Sequence, residues 1–113
     1  MKYTLDKAAK LFMRYDKKIF NSAIRKADIN LSLRFNNSKK YMGIFCGYYV
    51  EKNKCGEIIL SKWFMGDKAT FKSTIIHEMV HCLQFIKDKP VNHKGLFKKE
   101  CKRIKKQFGI DIS

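Results

Sequence analysis

The run from Phe71 to Lys87 constrains the fold more than any other stretch. Ile75, Ile76, Met79, Val80, Leu83 and Ile86 make a broad apolar stripe at helical spacing, and His77 and His81 recur one turn apart. A helix this apolar belongs at the centre of a domain, and the domain must leave room for two imidazoles on it. The spacing predicts a helix over 71–87, with Asp67, Thr70 and Ser73 as candidate N-cap residues and Thr70 the favoured one. Pro90, the only proline, interrupts helix formation.

The flanking sequence supplies the rest of an α+β fold. Leu5, Ala8, Ala9, Phe12, Ile19, Ala23 and Ile24 fall at helical spacing and predict one long amphipathic helix over 4–27. "NLSLRFN" alternates Leu31, Leu33 and Phe35 with polar residues, so a half-buried strand is expected over 30–36. A hairpin is expected from about 41–51 and 57–61, with "KNKCG" between its strands, giving a small three-stranded antiparallel sheet. A last helix is expected from about His93, with His93, Phe97, Cys101, Ile104 and Phe108 on its inward stripe. Trp63, Phe64 and Met65 are expected in the core, and Tyr41, Tyr48 and Tyr49 in the sheet. The whole chain, 1–113, reads as a single domain.

Composition narrows the function classes. No apolar run of membrane-spanning length exists and the first residues scatter their charge, so a cytoplasmic protein without a membrane partner, and a monomer, is expected. Cys46, Cys55, Cys82 and Cys101 form no CxxC pair and read as core fillers or free thiols. Twenty-five Lys and Arg against ten Asp and Glu leave a net charge of +15, which favours polyanions and above all DNA, bound without sequence specificity. Lys94, Lys98, Lys99, Lys102, Arg103, Lys105 and Lys106 lie on the polar face of the last helix, and all of them but Lys99 are the candidate contacts.

All three histidines of the chain fall between residues 77 and 93. His77 and His81 can share a cation, and Glu78, beside the first, can take a proton from water on that cation, which is the logic of an HExxH zinc hydrolase. A catalytic zinc site needs a third protein ligand and one open position. Gln84 and Lys87 stand where a metzincin would carry glycine and histidine, which excludes that ligand pattern. Two candidates remain: His93, behind the short turn "KDKPVN", and Glu100 further along the same predicted helix. His93 is preferred, with Glu100 as a supporting or surface carboxylate.

"STIIHEMVH" at 73–81 and "HKGLF" at 93–97 resemble the SprT-like family, which includes the Spartan proteases that act on proteins crosslinked to DNA. "FNSAI" at 20–24 and "GEIILS" at 56–61 follow the family's order, so the resemblance covers nearly the whole chain. It implies a zincin-like metalloprotease domain, with Zn²⁺ on His77, His81 and His93, Glu78 as catalytic base, and DNA-bound proteins as substrates. A non-catalytic, zinc-stabilised nucleic-acid-binding module is the competing expectation.

Overall fold

The computed structural model describes residues 3–113. Its elements are α1 (Leu5–Phe20), α2 (Ala23–Lys26), β1 (Asn30–Asn36), β2 (Gly43–Val50), β3 (Asn53–Ser61), α3 (Lys68–Ile86) and α4 (Leu96–Phe108). The α+β class is as expected, but the single helix over 4–27 is two. Asn21 and Ser22 break it, both in the left-handed region at φ 51° and 61°. The cause is Asp16, a buried carboxylate that accepts the main-chain N–H groups of Ile24 and Arg25, each at 3.0 Å. A straight helix would carry those groups away from it and leave a buried carboxylate without partners. The side chain of one helix thus caps the next.

The sheet has the order β1-β3-β2 and is mixed, not all antiparallel: β2 runs antiparallel to β3, whereas β1 runs parallel to it. Residues 37–42 join β1 to β2 across the slot that β3 fills, a gap of two strand spacings or about 10 Å. Ser61 N–H donates to Met42 O at 2.8 Å, and Lys62 N–H to Asn36 O at 2.9 Å, so the end of β3 is tied to both neighbours. The hairpin turn is tighter than expected, with Val50 paired to Asn53 and Glu51 at φ 58°. Most of "KNKCG" therefore belongs to β3.

One sheet face carries Leu33 and Phe35 of β1, Ile58 and Leu60 of β3, and Phe45 of β2, and packs on the helices. On that face β2 presents Gly43 and Gly47, over which α3 passes. A Cβ on Gly47 would lie 2.8 Å from the Phe85 ring, so the helix approaches as closely as glycine allows. Ile75, Ile76, Met79 and Val80 of α3 are fully buried, as the apolar stripe requires.

α3 starts at Lys68, and its N-cap is Asp67 where Thr70 was expected. The Asp67 carboxylate accepts both the N–H of Thr70 at 2.8 Å and its hydroxyl at 2.9 Å, and these bonds hold its pKa below the usual carboxylate value. At the other end Lys54 of β3 caps the helix, its Nζ donating to Phe85 O at 3.1 Å and Ile86 O at 2.9 Å. Of the residues before α3, Met65 is buried and Phe64 packs on the core, but Trp63 is 62% exposed and takes Lys39 over its ring at 4.3 Å. Tyr48 and Tyr49 are exposed too, although Tyr49, on the helix side of β2, meets the Phe85 ring of α3 at 5.5 Å. All four cysteines are free, and burial pushes the Cys82 thiol up to about 12.

Candidate metal centre

α4 begins at Leu96, so His93 is not on the helix stripe where the spacing put it. It stands on the exposed loop before the helix, in a bend where Asn92 Oδ1 accepts the N–H of Lys94 at 2.9 Å. Gly95, at φ 52°, then turns the chain into α4. From that loop His93 reaches the two histidines of α3. The three Nε2 atoms of His77, His81 and His93 form a triangle with each side 3.3 Å.

The outer nitrogens settle what the inner ones can do. His77 Nδ1 lies 2.7 Å from the carbonyl oxygen of Ile112, which can only accept, so Nδ1 carries the proton and Nε2 a bare lone pair. His81 Nδ1 lies 2.8 Å from Gln84 Oε1. The amide of Gln84 is oriented by its other end, where Nε2 donates to Asn92 O at 3.0 Å, so here too Nδ1 is the protonated nitrogen. At least two lone pairs converge at 3.3 Å with no proton between them, an arrangement that a cation resolves. Burial holds the pKa of both His77 and His81 below the ordinary histidine value, which keeps them neutral and able to ligate. Phe97 packs against all three rings, stacked on His81 at 4.9 Å and edge-on to His77 and His93 at 4.9 and 4.8 Å. The three histidines are thus a group that can hold a metal ion.

Glu78 lies between His77 and the start of β2 and is 4% exposed. Gly43 is what lets the strand lie over it: a Cβ there would sit 2.8 Å from Thr74 Cγ2 and 3.2 Å from Glu78 Cγ. Burial pushes the Glu78 carboxyl up to about 8, opposed by a hydrogen bond from the Phe45 main chain. Its Oε2 is 3.9 Å from His77 Nε2. A cleft of about 300 Å³ opens over these groups, walled by Met42, Gly43, Ser73, Thr74 and the segment Asp111–Ser113, and it reaches His77, His93 and Glu78. Among the described residues lining that cleft there is no tyrosine, so Tyr41, Tyr48 and Tyr49 are not placed to act in it; Tyr41 instead accepts from Asn36 Nδ2 at 2.7 Å.

Glu100, the rival third ligand, is turned away from the triangle and held by Arg103, whose Nε and Nη2 donate to it at 2.7 and 3.1 Å. Arg103 Nη2 also donates to Ile19 O at 3.0 Å, so this guanidinium ties α4 to α1. Lys94, Lys98, Lys102, Lys105 and Lys106 are exposed along the loop and α4. Spacing pointed to the histidines and Glu78; it gave no sign of Gln84 or of the Ile112 carbonyl, whose roles depend on how distant segments close.

A helix offering two imidazoles a turn apart, a third imidazole from the loop beyond it and a buried glutamate define an α+β domain of metallopeptidase-like design with a candidate metal centre. The chain belongs to the SprT-like family, whose model matches residues 8–113. No curated protein matches the sequence. No helix among the described residues is long and apolar enough to cross a membrane.

Proposed function

We propose that this chain is a zinc metallopeptidase, with His77, His81 and His93 as ligands and Glu78 as general base, that cleaves DNA-associated proteins. The observation that carries the reading is the triangle of Nε2 atoms. Nitrogens about 2.05 Å from a tetrahedral zinc lie about 3.3 Å apart, and that is the separation of all three pairs. Three imidazoles with the fourth side open to a cleft match a catalytic arrangement better than a closed structural one.

Bound zinc would supply Lewis acidity, polarising a substrate carbonyl and making a water molecule a better nucleophile near neutral pH. Glu78 takes that water's proton and passes it to the leaving amine, the only role for which a buried carboxylate at the cleft wall is so well placed. Burial raises its pKa in the metal-free site, and a cation on the neighbouring imidazoles would favour the carboxylate form that a general base needs. The Phe45 hydrogen bond fixes the carboxyl against the β2 edge. Thr74 and Gly43 close the same wall and keep it from swinging away.

The test is Glu78→Gln. Metal analysis should find one zinc per chain in parent and variant alike, with cleavage of a disordered protein lowered about 10²- to 10⁴-fold in the variant. A variant as active as the parent would sink the peptidase reading. The charge of +15 favours a second reading, a nucleic-acid-binding module in which zinc only ties α3 to the His93 loop. Metal and salt-sensitive DNA binding, with no cleavage by the parent of free or DNA-bound proteins, would establish that one.

A further inference from the structure

Gln84 is one turn beyond the second metal-binding histidine and is no ligand itself, yet it is completely buried and commits both ends of its side chain. Oε1 accepts from His81 Nδ1 at 2.8 Å, and Nε2 donates to Asn92 O at 3.0 Å. Its main-chain oxygen takes a third bond, from the N–H of Lys89 at 2.8 Å. The residue therefore touches one ligand directly and the residue before another.

The loop it holds has little else to hold it. Residues 87–95 are all exposed, with Val91 at 45%, so no side chain of the loop itself is buried, and Phe97 touches only its far end, at His93. Asp88 is fastened by its own N–H to Phe85 O at 3.2 Å and by Lys54 at 2.7 Å. Beyond Asp88, Gln84 receives the N–H of Lys89 and bonds to the carbonyl of Asn92. An exposed loop with two positive-φ residues, Asp88 at 57° and Gly95 at 52°, has many alternative shapes, and few of them bring His93 to within 3.3 Å of two other nitrogens.

We propose that Gln84 is a positioning residue that couples two ligands from different segments. With one end of the amide it fixes the His81 tautomer, leaving Nε2 bare; with the other it sets the register of the loop that delivers His93. Because the amide is one rigid plane, the two tasks are linked: Asn92 O orients the nitrogen, and that orientation presents the oxygen to His81. A carboxylate would repel the Asn92 carbonyl, and an apolar side chain would leave the His81 Nδ1–H and the Asn92 oxygen without partners.

This inference rests on the metal-binding reading, and the experiment keeps the two apart. Zinc affinity is measured by competition with a chromophoric chelator for the parent, Gln84→Met, His93→Ala and the double variant. A parent that takes up no zinc overturns the metal reading itself. If the parent binds one equivalent, Gln84→Met should bind about 10- to 100-fold more weakly. In the His93→Ala background the same substitution should cost only a few-fold, because the loop no longer delivers a ligand and only the His81 contact is lost. An equal loss in both backgrounds would show that Gln84 acts on His81 or on general stability alone, and would overturn the coupling. Should Gln84→Met fail to fold, Gln84→Glu serves in the same cycle: it keeps an acceptor for His81, loses the donor to Asn92 and repels that carbonyl. Gln84→Glu binding as tightly as the parent would also overturn the proposal.

Discussion

Gly43 and Glu78 meet where β2 crosses α3, and the distance between them leaves no room for a methyl group. An added Cβ would lie 2.8 Å from Thr74 Cγ2, so Gly43→Ala must push the end of the strand away from the helix by some tenths of an ångström. His77 lines the same cleft, but its Nδ1 is held by the Ile112 carbonyl and not by the strand, so the histidines should stay in place. Gly43→Ala is therefore expected to keep its full zinc content while kcat for peptide cleavage drops about 10-fold or more, since small misplacements of a catalytic group are costly. Metal analysis beside a steady-state assay separates the two effects, and an unchanged kcat would show that the wall tolerates the shift. This residue scale is also where the sequence was most informative and most silent. Spacing alone placed His77, Glu78 and His81 on one helix, and the scarcity of histidine drew attention to His93. Phe97 was visible only as a member of an apolar stripe, although its ring contacts all three imidazoles. Gln84 looked like a departure from another ligand pattern, because nothing in a spacing reveals that an amide will span from a helix to a loop eight residues on.

The elements show why a correct pattern can still mislead. Every apolar position read into the helix over 4–27 is helical in the structure, yet the helix breaks, because one polar residue outweighs the stripe. Asp16 gives its carboxylate to two N–H groups across the break, and Asp16→Ala would leave the buried Ile24 N–H and the part-buried Arg25 N–H without that acceptor. Each lost partner costs about 1–3 kcal/mol, so urea unfolding of the metal-free variant should show a loss of roughly 2–5 kcal/mol. A loss under about 0.5 kcal/mol, as at ordinary surface sites, would mean that α2 forms without its cap. The sheet illustrates a different limit. Alternation of Leu31, Leu33 and Phe35 located β1 within its observed bounds, but a half-buried strand alternates in the same way whether its neighbour runs parallel or antiparallel. The orientation is decided by residues 37–42, which are long enough to step over a strand and let β3 fill the gap. Helix ends were misread for a related reason: Asp67 and Thr70 are both good caps, and the choice fell to Asp67 because its carboxylate can take the Thr70 N–H and hydroxyl together.

At the scale of the whole molecule the basic residues divide into two kinds, and the division yields a test of the DNA reading. Arg103 faces inward, its guanidinium shared between Glu100 and Ile19 O, so it belongs to the packing of α4 on α1. Lys102 and Lys106 are exposed, one turn apart on the same helix, and free to meet phosphates. If the excess charge concentrates the protein on DNA, Lys102→Glu with Lys106→Glu should weaken binding to duplexes of any sequence alike. The slope of log affinity against log salt should shrink by about 0.9 for each phosphate contact removed. Cleavage of a free disordered peptide should be unaffected, whereas cleavage of a DNA-bound protein should fall with the affinity. Arg103→Gln should behave in the opposite manner: unfolding at lower denaturant because Glu100 loses its partner, with the salt slope of the folded protein preserved. A double lysine variant with the parent's affinity and slope would remove α4 from the DNA contact and turn attention to the lysines of α1. A variant in which both peptide and DNA-bound substrates are lost together would instead mean that α4 serves the cleft itself, whose second groove is lined by Lys102 beside His77 and His93.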